Sequence, residues 1–148
     1  MTYFTIAELT ASDTAKRLHI NNTPGTDERA SLEALVLHVL DPARAAIGMP
    51  VRVTSGYRCR LLNIAVRGAT NSQHAKGQAA DVTCNDNAKL FYYIWKNLDY
   101  DQLIWEKGSA LQPSWVHVSF NNRAERQRHQ CLRTIDGSHY FDYTPKPK

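Results

Sequence analysis

Two histidines and an aspartate in this chain have the spacing of a metal shell. His74 lies in the polar stretch Ser72-Gln73-His74-Ala75-Lys76-Gly77, and Asp81 follows seven residues later in Gln78-Ala79-Ala80-Asp81-Val82-Thr83-Cys84. A Gly-containing turn between them lets a histidine on the loop converge with an aspartate on the strand that the loop feeds. Side chains alternate along a strand, so Ala79, Asp81 and Thr83 share one face while Ala80, Val82 and Cys84 share the apolar one. The same parity in Trp115-Val116-His117-Val118-Ser119-Phe120 sends Val116, Val118 and Phe120 to a core, and Trp115, His117 and Ser119 to the opposite, polar face. If the two strands are neighbours, Asp81 and His117 meet across the sheet and His74 arrives from the loop.

Two imidazoles and one carboxylate make a three-ligand zinc site with a fourth position open to water. One carboxylate offsets only half the charge of Zn²⁺, so the ion keeps enough Lewis acidity to activate water and polarise a carbonyl. Calcium or magnesium would want more oxygen ligands. A lone histidine or aspartate on a polar strand face is more often simply solvated, so the reading depends on all three converging. His19, His38, His129 and His139 have no comparable context and read as structural or surface residues.

The elements that must position these groups follow from periodicity. Ile6–Leu9 reads as a short helix, and Ser12 or Asp13 caps a second turn running to Leu18. Leu32, Leu35, Val36, Val39, Leu40 and Ala43 recur at helical spacing; Pro42 kinks or restarts that helix, and Gly48 with Pro50 stops it. Val51–Thr54 reads as a strand, Leu61–Val66 as a short helix ended by Gly68, and Ala69–Gly77 as a polar loop. The strand Gln78–Cys84 is followed by the helix Ala88–Asn97, capped by Asp86 or Asn87, with Leu90, Phe91, Ile94 and Trp95 on one face. Gln102–Glu106 and Trp115–Phe120 are further strands, with short ones expected around Leu132–Ile135 and His139–Tyr143. Helices mostly precede strands, which predicts an α+β fold: a single domain over 1–148 with a small, mostly antiparallel sheet and helices packed largely on one side.

Composition bounds the function. The chain has 148 residues and a net charge of +4, with 43% apolar and 22% charged residues, so it is globular and neither disordered nor collagen-like. The longest apolar stretch, around Ala34–Leu40, is short and interrupted by His38, so no membrane span is expected. The start MTYFTIAELTASD does not read as a secretory signal. Cys59, Cys84 and Cys131 lack Cys-x-x-Cys spacing and read as inert thiols of a reducing compartment. Basic residues gather in Asn121–Arg133 with no stacking aromatic among them, which makes nucleic acid an unlikely partner and a solvated surface the plainer reading.

The order Ser72-x-His74-x-x-Gly77-x-Ala79-x-Asp81, then Trp115-x-His117, resembles the zinc D-alanyl-D-alanine carboxypeptidase family. That family includes vancomycin-resistance D,D-dipeptidases and phage L-alanyl-D-glutamate endopeptidases, and its fold is similar to the hedgehog signalling domain. Ser55-Gly56-Tyr57-Arg58, followed by Asn63, matches a further segment of the family, so the resemblance spans roughly Leu32 to Phe120. It implies a core of about 28–120 followed by a basic C-terminal tail, 121–148. It also implies that His74, Asp81 and His117 bind one zinc ion, and that Arg58 holds a substrate carboxylate or a developing oxyanion.

The general base departs from the family pattern. One branch carries Glu three residues before the last histidine ligand, where this chain has Ser114; another carries His two residues before it, where this chain has Trp115. The nearest acid upstream is Glu106, on the same strand face as Gln102 and Ile104, and it is the first candidate, with Asp101 second. Ser72, Gln73, Trp115 and Ser119 are expected to bind substrate or line the cleft. The function expected is hydrolysis of D-amino-acid-containing peptide bonds in peptidoglycan, of D,D or L,D type, acting on stem peptides or D-Ala-terminated peptides. The alternative is a non-catalytic zinc domain that binds the cell wall or serves a phage particle. A monomer that is cytoplasmic as written, or released to the wall like a phage lysin, is the accompanying expectation.

Overall fold

The computed structural model describes residues 1–146. Helices α1 (Ile6–Thr10) and α2 (Asp13–Arg17) open the chain, each capped by a hydroxyl: Thr5 accepts from the Glu8 N–H and Ser12 from the Ala15 N–H. The long amphipathic segment comprises α3 (Thr26–Leu35), a π-helical turn over Val36–Leu40, and α4 (Asp41–Ile47). Pro42 was expected to kink or restart this helix. The structure accommodates it by widening the turn just before it, where the Asp41 N–H donates to the Val36 carbonyl, so the axis continues past the residue that cannot donate. Helices α5 (Arg60–Ala65) and α6 (Asn87–Asn97) complete the set, the latter capped by Asp86 through the Lys89 N–H.

Strands β1 (Arg52–Ser55), β2 (Ala79–Thr83), β3 (Gln102–Glu106), β4 (Trp115–Ser119), β5 (Gln130–Thr134) and β6 (Tyr140–Asp142) form one sheet in the order β1-β2-β4-β3-β5-β6. Every pairing is antiparallel except β3 with β5. The two faces separate as strand alternation requires. Val82, Leu103, Trp105, Val116 and Val118 are fully buried against a helical layer that contributes Leu35, Val39, Phe91 and Ile94. The opposite face carries Asp81, Ile104, Glu106 and His117.

Residues outside the expected core of 28–120 also contribute to the buried interior. Phe4, just before α1, and Leu9 of α1 are buried in the same core as the elements within 28–120. Within the stretch expected as a basic tail, Gln130–Thr134 and Tyr140–Asp142 form β5 and β6, and Leu132 and Thr134 are buried. The hydrogen-bonding edge that β3 would otherwise leave open accounts for this, since an unpaired strand edge gains by acquiring a partner. The three cysteines are free and half-buried. Among the described residues, no helix is long and apolar enough to cross a membrane.

Candidate metal centre

His74 sits on a one-turn 3-10 helix, Gln73–Lys76, whose start is capped by the Ser72 hydroxyl accepting from the His74 N–H. The turn closes at Gly77, with φ +71, where an added Cβ would lie 2.4 Å from the Glu28 carbonyl oxygen of α3. Only glycine satisfies both the left-handed backbone and that approach. The imidazole is buried, and its Nδ1–H donates to the Gly56 carbonyl at 2.7 Å. This hydrogen bond fixes the tautomer and leaves the Nε2 lone pair free for a cation. Gly56 is itself confined: a Cβ there would stand 2.2 Å from the Leu9 carbonyl oxygen. On either side of it, the Tyr57 N–H donates to Leu9 and the Arg58 N–H to the His74 carbonyl, at 2.7 and 3.1 Å. A register shift between Val53 and Ser55 on the edge strand re-aims the chain into this clamp.

Asp81 and His117 are direct partners across β2 and β4, and Ser55 faces Asp81 from β1. The Asp81 carboxylate spans both imidazoles, with Oδ1 3.0 Å from His117 Nδ1 and Oδ2 3.5 Å from His74 Nε2. One donor atom from each of the three residues lies within 4.8 Å of the others. Donors around a tetrahedral zinc with bonds of about 2.1 Å stand roughly 3.4 Å apart, so the residues present fit that ion. Burial works to raise the Asp81 pKa, but the adjacent His117 and His74 imidazoles outweigh it and hold the carboxyl well below its usual range. Burial lowers the His74 pKa against the pull of Asp81, which keeps its imidazole neutral and able to ligate.

Glu106 arrives from the neighbouring strand. Ile104 pairs with His117 and Glu106 with Trp115, so Asp81, His117, Ile104, Glu106 and Trp115 all project from one face. The Ser114 N–H donates to the Glu106 carbonyl at 2.9 Å, which makes these two positions neighbours in space. The Glu106 side chain is buried, and burial pushes its carboxyl up to about 7. Arg58 lines the same cleft. Burial lowers its pKa while the Asp81 charge raises it, and its Nε has no hydrogen-bond partner among the described residues. The cleft has a volume of about 980 Å³ and is lined by Arg58, His74, Asp81, Glu106, Trp115 and His117 among others.

The remaining expected residues divide. Ser72, Gln73 and Trp115 line the cleft. The Ser72 hydroxyl is engaged in capping, and the Gln73 amide donates to Asp101 Oδ2 at 2.9 Å while its Oε1 stays buried without a partner among the described residues. Ser119 does not line the cleft. Parity places it on the His117 face, but it is fully buried: its Oγ accepts from the Gln102 N–H and its carbonyl from the Asp101 N–H. Asp101, the second candidate base, is also withdrawn from the cleft. Its carboxylate accepts from the Arg128 guanidinium at 2.6 Å and from Gln73, and these partners overcome burial to hold its pKa low. Its acceptor capacity is therefore spent on joining the Gln73 turn to the chain after β4. Reading by sequence missed Gln102, Leu132 and Tyr140, which also line the cleft. Alternation could place Gln102 on this face, whereas the other two required knowing that β5 and β6 join the sheet beside β3.

A family model described as Peptidase M15 matches residues 2–119 of the chain. No curated protein matches it.

Proposed function

The chain belongs to the peptidase M15 family of zinc peptidases, and from that premise we propose that it hydrolyses D-amino-acid-containing peptide bonds of peptidoglycan. The observation that carries this reading is the placement of a buried carboxylate, Glu106, on the same sheet face as the His74–Asp81–His117 group. His74, Asp81 and His117 would hold the zinc ion, which would supply the Lewis acidity to activate a water and polarise the scissile carbonyl.

The protein's own groups do the rest. The Glu106 carboxylate takes a proton from the attacking water and returns it to the leaving amine nitrogen, a task suited to a carboxyl raised toward neutrality by burial. It reaches the site from β3, beside the Ser114 position where one branch of relatives carries its glutamate. Arg58 lines the cleft and offers a planar, charged guanidinium fork suited to a substrate carboxylate or the oxyanion. Trp115 and Gln73 hold the peptide along the cleft. The Gly56 carbonyl keeps the His74 ring oriented throughout.

Metal analysis and digestion of purified peptidoglycan test the proposal together. The wild-type chain is expected to bind one zinc ion and release peptide fragments, and His74→Ala to lose both. A His74→Ala protein that keeps its zinc and its cleavage activity would overturn the assignment of the centre.

A further inference from the structure

Strands β5 and β6 lie beyond the stretch 2–119 that matches the family, yet they border the same cleft. Direct pairs run from Trp115 on β4 to Glu106 on β3, from Glu106 to Thr134 on β5, and from Thr134 to Tyr140 on β6. Directly paired residues point to one face of a sheet, so Tyr140 projects from the face that bears His117 and Asp81. One row away, Ile104 pairs with Leu132 to pave the cleft floor with apolar surface.

We propose that the β5–β6 hairpin is a substrate-binding wall of this cleft, and that the Tyr140 hydroxyl donates a hydrogen bond to a backbone carbonyl of the bound peptide beside Glu106. The proposal rests on the peptidase reading above. Three features of the hairpin support it. Its base is fixed: the Lys107 N–H donates to the Thr134 carbonyl at 2.8 Å, and the buried Thr134 hydroxyl accepts from the Gly137 N–H at 2.9 Å. Its turn is tied by Asp136, whose Oδ1 accepts from the Ser138 and His139 N–H groups at 2.8 Å each. The phenol itself is free to bind: Tyr140 is 48% exposed, and its hydroxyl makes a long 3.2 Å contact to the Gly137 carbonyl, which a ligand oxygen can replace. Partial burial, with the Glu106 and Asp81 charges beside it, raises the Tyr140 pKa, so the group stays an O–H donor. Such a wall arrives preorganised, and little ordering is left for the ligand to induce.

The test is calorimetric titration of zinc-loaded Glu106→Gln protein with a disaccharide-pentapeptide muropeptide ending in D-Ala-D-Ala. Adding Tyr140→Phe is expected to weaken binding about fivefold, the scale of one hydrogen bond, with the melting temperature unchanged. Adding Tyr140→Ala instead weakens it further by removing the ring. Binding by both double variants within about twofold of the parent overturns the wall while the peptidase reading stands. A zinc-loaded parent that does not bind the muropeptide overturns the peptidoglycan reading and the wall with it.

Discussion

Glu106 joins two properties that are seldom found in one glutamate: a buried side chain and a place one residue pair from His117 of the candidate metal group. Replacing it by Gln keeps the volume and removes the proton acceptor. Turnover is expected to fall by about 10²–10⁴-fold with zinc content intact, measured as kcat on a defined muropeptide. The same burial predicts a pH effect in the metal-free protein. The folded pKa of about 7 lies above the unfolded value, so the neutral carboxyl is the form the fold favours. Its stability contribution is complete below the unfolded pKa and is lost as pH rises through about 7. Thermal melts of metal-free protein across that window should show the loss, and Glu106→Gln should flatten it. At this scale the convergence of Asp81 and His117 was legible because strand parity is a matter of covalent geometry: both had to face away from their valine neighbours. Ser119 obeys the same parity and is nevertheless buried, since alternation fixes a face but not what covers it. The pairing of Asp101 with Arg128, 27 residues distant, was not legible in the sequence.

Among the elements, the Ser55–Arg58 segment converts chain geometry into site geometry. Its motif was readable, but its main-chain role was not. The Gly56 carbonyl orients His74, and the space for that carbonyl exists only because no Cβ intrudes on the Leu9 backbone of α1. Gly56→Ala is therefore expected to cost about 1–3 kcal/mol in urea unfolding, as overpacking does. It should also weaken zinc binding by roughly 10–100-fold in a competition titration, as losing an outer-shell partner does. Destabilisation with unchanged zinc affinity would assign Gly56 to packing alone. The helical layer was legible from its 3.6-residue period, including the disturbance at Pro42. The form of that disturbance, a π-turn before the proline, depends on which register keeps the buried Val36, Val39 and Leu40 in the core.

For the molecule as a whole, one sheet does two jobs: its apolar face closes the core and its polar face carries the chemistry. The sequence-level α+β reading and the mostly antiparallel sheet follow from the order of helices and strands. The part that was not legible is the C-terminal pairing, because the parallel contact of β5 with β3 spans residues with no turn signal linking them. That pairing turns an apparent basic tail into a border of the cleft, and it commits Arg128 to Asp101 rather than to an external anion. The net charge of +4 remains suited to attraction toward an anionic wall polymer, an effect that salt would screen. The central claim, a zinc peptidase acting on peptidoglycan, is tested most directly by mass spectrometry of purified peptidoglycan treated with the zinc-loaded protein. The expected result is a set of fragments that have gained one water at a bond flanked by a D-amino acid. Peptidoglycan of unchanged mass, in the presence of a chain that holds its zinc, would contradict the claim.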